Sequence, residues 1–154
     1  MTGSESSGAQ AHPAVVIDRH GPVACVTLAR PERANAMDGE ITDALLRAVI
    51  TVRDAPDVHA MVLTGRGSAF SAGGDFDTIR AMREDRPMRD AVLDAHQELF
   101  RVMTRVPFPT VAAVNGAAVG AGVTVALLCD LVVMAENTFL SDPRVSLEIG
   151  RAHV

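Results

Sequence analysis

The chain has 154 residues, 48% of them hydrophobic, with no Trp or Tyr and a net charge of −5. That length holds one domain with a real core, or part of a larger one, and the acidic balance without a Lys/Arg stripe excludes a general nucleic-acid binder. Cys25 and Cys129 sit in apolar settings and are too few for a disulfide framework or a zinc site. They read as reduced core thiols of a cytoplasmic protein. No internal repeat is present in the sequence.

Residues 1–13, MTGSESSGAQAHP, are small and polar. They are expected to form a disordered tail and lack a signal-peptide pattern. Residues 15–17 and 23–28 read as a β-hairpin joined by a Gly-containing turn. RPERANAMD follows as a loop, in which Pro31 excludes regular pairing. Asp38 is placed to N-cap a helix over Gly39–Arg53, whose Ile41, Leu45, Leu46, Val49 and Val52 share one face. Residues 58–64, VHAMVLT, then read as a buried strand. Strand, helix and strand in that order imply a crossover unit and a mainly parallel sheet.

The next segment, GRGSAFSAGGDFDTIRAM, is a strand, a glycine loop and a helix. It lacks the Gly-Lys-Ser/Thr ending of a phosphate-binding loop, and Phe70 stands where a dinucleotide fingerprint needs its third glycine. Asp75 reads first as a helix cap and only second as a chemical group. Arg86-Pro87 is expected to break the chain before a long helix over 88–105, with Val92, Ala95, Leu99, Val102, Met103 and Val106 on its apolar stripe. His96 lies at the edge of that stripe and reads as a partly exposed polar residue.

No charged side chain interrupts 106–129, yet three glycines, two prolines and Asn115 do. The prolines and Asn115, with no aromatic anchors or basic flanks, exclude a membrane helix despite the Gly116/Gly120 spacing. The segment divides into a strand at Thr110–Val114, a glycine turn over 115–120 and a helix over 121–129. Val and Ala without alternation suit a strand covered on both faces. A glycine turn running into a helix leaves unpaired N–H groups at the positive end of the helix dipole, where an anion or developing oxyanion can be held. Residues 131–135 and 138–145 complete the series as strands.

Taken together, RPERANAMD, GRGSAFSAGGDF and AAVNGAAVGAGVTVALLCDLVV resemble the enoyl-CoA hydratase/isomerase (crotonase) superfamily, from the first hairpin to Leu147. The resemblance implies an α/β fold, the N-terminal part of a crotonase-like spiral of ββα units assembled as trimers or hexamers. It also implies an acyl-CoA thioester as substrate, with no separate cofactor and no metal. By position within the motifs, the backbone N–H groups of Gly74 and Ala121 would stabilise the enolate oxygen. Ala72, Asp75, Phe76 and Gly120 would flank them. Arg33, Ala34 and Ala36 match the loop that runs along the CoA adenine and pantetheine.

Two positions depart from the hydratase pattern. Thr124 and Arg144 stand where hydratases carry their two glutamates, and neither side chain relays protons near neutral pH. Ordinary hydratase activity is therefore not expected; His96 and Asp142 are the remaining acid/base candidates within the chain. The alternative is an acyl-CoA-binding or assembly subunit without catalysis, or an inactive fragment. Residues 148–154 are expected to be foreign to the gene. Ile149-Gly150-Arg151-Ala152-His153-Val154 back-translates to ATC GGA AGA GCA CAC GTC, a common sequencing-adapter read. On that reading the domain proper is the segment 14–147, and the absent remainder leaves apolar surface uncovered.

Overall fold

The structure, a computed structural model, describes residues 13–143. Residues 1–12 of the expected tail, Arg144 and the residues after it lie outside the described residues.

Val15–His20 (β1) and Val23–Leu28 (β2) form the antiparallel hairpin, joined at Gly21 and Pro22. β1 runs three residues further than the apolar pattern, because Asp18, Arg19 and His20 pair with Cys25, Ala24 and Val23 while remaining exposed. Backbone pairing alone extends the strand there. Helix α1 spans Gly39–Arg53, and the Asp38 side chain accepts from the Ile41 N–H as its cap. Ile41, Leu45, Val49 and Val52 face the core, as the periodicity requires; Leu46 is only partly buried. Truncating any of those four buried side chains to alanine is expected to cost about 2–5 kcal/mol, less for valine.

From there each unit repeats one plan: a strand in a first sheet, a short strand in a second sheet, then a helix. Ala60–Gly65 (β3) and Ala69–Ser71 (β4) lead into Phe76–Glu84 (α2) and Arg86–Met103 (α3). Thr110–Val114 (β5) and Ala117–Val119 (β6) lead into Ala121–Leu127 (α4). Leu131–Met134 (β7) and Leu140–Ser141 (β8) begin a third pass. The first sheet has the order β1-β2-β3-β5-β7, parallel from β2 onward, and the second is β4-β6-β8, all parallel. This is the α/β arrangement of ββα units that the resemblance implies. The repeat lies in the geometry and leaves no sequence period.

Several expectations change, among them the strand over 138–145, which among the described residues pairs only at Leu140–Ser141. The stretch 115–120 is not simply a turn: Ala117–Val119 pairs with β4 and β8, since the sheet-to-sheet corner occupies only Asn115 and Gly116. Gly116 is required there, because a methyl on it would lie 2.1 Å from the Ser68 carbonyl oxygen. Arg86-Pro87 does not stand outside α3. Pro87 sits in its first turn, where a missing N–H costs no helical bond, and Asp85 caps the Met88 N–H. Helix α4 ends at Leu127 rather than Cys129, and β3 starts at Ala60 rather than at residue 58.

Among the described residues no helix is long and apolar enough to cross a membrane. Cys25 and Cys129 are free; burial pushes the Cys129 thiol up to about 11. β7 lies at the edge of the first sheet, and Leu131, Val133, Met134, Phe139 and Leu140 around it are exposed. An apolar patch of that kind at a sheet edge is uncommon on a monomer surface.

Candidate active site

In a parallel sheet, the carboxyl ends of neighbouring strands open on the same edge, so the loops that follow them meet. β4 and β6 pair in parallel, with Ala69 opposite Ala117 and Ser71 opposite Ala118. The loop after β4 is 72–75, ahead of α2; the turn after β6 is Gly120, ahead of α4. Contact between the two is close: a methyl on Gly73 would lie 2.5 Å from the Val119 carbonyl oxygen and 3.6 Å from the Ala121 nitrogen. Gly73 also has φ +85, so both its space and its backbone exclude a side chain.

A buried polar staple fixes the first loop. Asn35 is fully buried with φ 53, a conformation that asparagine tolerates better than most residues. Its carboxamide oxygen accepts from the Arg30 N–H at 2.9 Å, and its nitrogen donates to the Arg66 and Ala69 carbonyls, both at 3.0 Å. The Ser71 hydroxyl donates to the Asn35 carbonyl at 2.8 Å and accepts from the Gly73 N–H at 3.2 Å. The Met37 N–H donates to the Gly73 carbonyl, and the Ala72 N–H to the Ala34 carbonyl. The loop is thus held at Ala72 and on both sides of Gly73, while the Gly74 N–H is left over.

Among the described residues, neither the Gly74 nor the Ala121 N–H has a hydrogen-bond acceptor. Ala121 is the first residue of α4, so its N–H has no partner within the helix. Both residues line one cavity of about 240 Å³. Around them stand Ala72, Gly73, Asp75 and Phe76 from the first loop and Val119, Gly120 and Thr124 from the second. Met37, Thr78, Ile79 and Met82 add to the lining, as do Val92, Leu93, His96 and Phe100 of α3, and Pro143 just beyond β8.

Eight of the sequence-derived candidates therefore meet in one place: Ala72, Gly74, Asp75, Phe76, His96, Gly120, Ala121 and Thr124. Asp75 is occupied with structure. It caps α2 by accepting from the Thr78 N–H and hydroxyl, both at 3.1 Å, and pairs with Arg33 at 2.7 Å. The Thr78 N–H, above all, holds its carboxyl below the usual carboxylate range, and Arg33 adds to this. The Thr124 hydroxyl donates to the Gly120 carbonyl of its own helix. Arg33, Ala34 and Ala36 do not line the cavity. They stand on the neighbouring loop, with Arg33 also 3.3 Å from Asp38. Ala34, at φ 48, and Ala36 act there through their backbones.

Asn35, Ile79, Met82, Leu93 and Phe100 are absent from the sequence-derived set. Phe100 had a signal: Val92, His96 and Phe100 recur every four residues and form a second row on α3, distinct from the buried Leu99, Val102 and Met103.

A family model described as enoyl-CoA hydratase/isomerase matches residues 18–150. A Thermus thermophilus protein carrying an enoyl-CoA hydratase name is 42% identical over 130 residues, 82% of this chain and 51% of that protein. The crystal structure of an enoyl-CoA hydratase/isomerase from Mycobacterium paratuberculosis superposes with a TM-score of 0.82 at 36% identity, covering 88% of this chain and 55% of that one. An enoyl-CoA hydratase/carnithine racemase structure from Magnetospirillum magneticum gives 0.85 at 27% identity, covering 94% and 54%. The chain spans about half the length of these relatives. With the fold and three motifs in agreement, the chain belongs to the enoyl-CoA hydratase/isomerase family.

Proposed function

We propose that this chain forms the thioester-binding half of an enzyme acting on acyl-CoA. In this reading the N–H groups of Gly74 and Ala121 stabilise negative charge on the thioester carbonyl oxygen. One observation carries it: Gly74 and Ala121, whose backbone N–H groups have no acceptor among the described residues, come from separate strand-to-helix loops and line a single, mostly apolar cavity. Fixed donors aimed at a developing oxyanion reorganise little during reaction, and losing one typically costs about 3–4 kcal/mol. The apolar lining from α2 and α3 suits an acyl chain. Arg33, 42% exposed on the adjacent loop, offers a cation to the CoA phosphates.

The reaction class is proton transfer next to the carbonyl rather than hydration of a double bond. Thr124 cannot act as a carboxylate would, and its hydroxyl is turned back to the Gly120 carbonyl.

Calorimetry with butyryl-CoA and its carbonyl-free thioether analogue tests the reading. The thioester is expected to bind at least several-fold tighter. Equal affinities, or no thioester binding at millimolar concentration, overturn it.

A further inference from the structure

Of the described residues lining the cavity, two have titratable side chains, Asp75 and His96. Asp75 is committed to Thr78 and Arg33. His96 is differently placed. It stands one turn after Val92 and one turn before Phe100, and all three line the cavity. Its Nδ1 lies 2.8 Å from the Val92 carbonyl oxygen. A carbonyl oxygen only accepts, so Nδ1 carries the proton, and in the neutral ring Nε2 holds the lone pair. The Phe100 ring packs edge-on against the imidazole, at 6.0 Å between centroids and 71° between planes. Among the described residues Nε2 has no hydrogen-bond partner. The ring is therefore anchored at one nitrogen and holds a lone pair at the other, in the cavity that Gly74 and Ala121 also line.

We propose that His96 is the general base of this cavity, an assignment that rests on the acyl-CoA reading. Nε2 takes a proton from the carbon next to the thioester carbonyl. The C–H electron pair becomes the double bond between that carbon and the carbonyl carbon, and the carbonyl π pair moves onto oxygen, beside the Gly74 and Ala121 N–H groups. The imidazolium then gives the proton back. Return to the same carbon is exchange; in a thioester with its double bond between C3 and C4, return to C4 moves that bond to C2–C3. The ring ends neutral and nothing is consumed, so the chemistry needs no second carboxylate.

The test uses the whole chain, His96→Gln and His96→Ala, with butyryl-CoA in D2O. Proton exchange next to the carbonyl is followed by NMR and binding by calorimetry. All three proteins are expected to bind the thioester within a few-fold of one another. Exchange should fall roughly 10²–10⁴-fold in both variants, the usual contribution of a positioned base. Added imidazole should restore part of it in His96→Ala, which a merely structural histidine would not allow. Exchange in His96→Gln within about threefold of the parent, at the scale of that expected contribution, overturns the assignment. So does a parent chain that binds the thioester without exchanging it. If none of the three binds, the acyl-CoA reading itself fails.

Discussion

Replacing Ala121 by proline tests the paired-donor reading at a single atom. Ala121 opens α4, and proline fits that position because its φ is already helical and the N–H it lacks makes no helical bond. The residue before a proline prefers extended conformations; Gly120, at φ 51 and ψ −113, occupies the mirror image of one, which glycine adopts freely. The fold should therefore lose no more than about 1 kcal/mol, the scale of an ordinary tolerated substitution. The oxyanion would lose one of its two donors, at about 3–4 kcal/mol or roughly 10²–10³ in rate. Ala121→Gly keeps the N–H and serves as the control. Exchange of the acyl α-proton in D2O is measured beside the thermal midpoint. A proline variant that unfolds within a few degrees of the parent and exchanges within about threefold of it, far short of the donor's expected worth, refutes the role given to this N–H.

Two further outcomes follow from the loop's supports. Asn35→Ala removes three hydrogen bonds from a fully buried site and leaves the Arg30 N–H and two carbonyls unsatisfied, so urea unfolding should show a loss of about 2–4 kcal/mol; less than 1 kcal/mol would mean water replaces the carboxamide. Asp75→Ala should cost about 1 kcal/mol as a lost cap, whereas Asp75→Asn keeps the cap and loses the charge. Because the folded state lowers the Asp75 carboxyl, its charge stabilises the fold above the ordinary aspartate value near about 4, and that share disappears as pH falls through the lowered value. Unfolding curves of the parent and Asp75→Asn should thus converge at acid pH; a gap independent of pH would contradict this.

Much of this architecture was legible from residue pattern. Asp38 and the four-residue spacing from Ile41 set α1 to its terminal residues, because a side-chain cap and an apolar face are both local. Thr110–Val114 was equally clear as an uninterrupted apolar run. Ala117–Val119 was not, since three small residues between glycines look the same in a turn as in a short strand; only pairing with β4 and β8 distinguishes them. The same limit hid Asn35. Its value lies in three partners from distant segments, and nothing in RPERANAMD announces a residue at zero exposure. The proposed donors were named through motif position, whereas the α3 wall of the cavity required knowing which side of that helix faces α2.

Because every residue except proline carries a backbone N–H, the proposed oxyanion site places its sequence demands on neighbours more than on the donors. Ala121 can be exchanged for glycine and still present the same group. Gly73 cannot be exchanged for alanine. Its φ of +85 is strained for any L side chain, and the added methyl would meet the Val119 carbonyl oxygen at 2.5 Å, backbone that β6 pairing holds in place. Either the 72–75 loop moves away from Ala121, separating the donors, or the fold absorbs the strain, at about 1 kcal/mol or more for the dihedral alone. Gly73→Ala is therefore expected to lower thioester exchange by at least tenfold and the thermal midpoint measurably, although residue 73 contributes no donor. Ala121→Gly, which alters a donor residue itself, should change exchange by less than threefold, since the N–H that accounts for the donor's worth is retained. If Ala121→Gly proves the more damaging of the two, side-chain contact rather than backbone position governs the cavity, and the paired N–H reading is wrong.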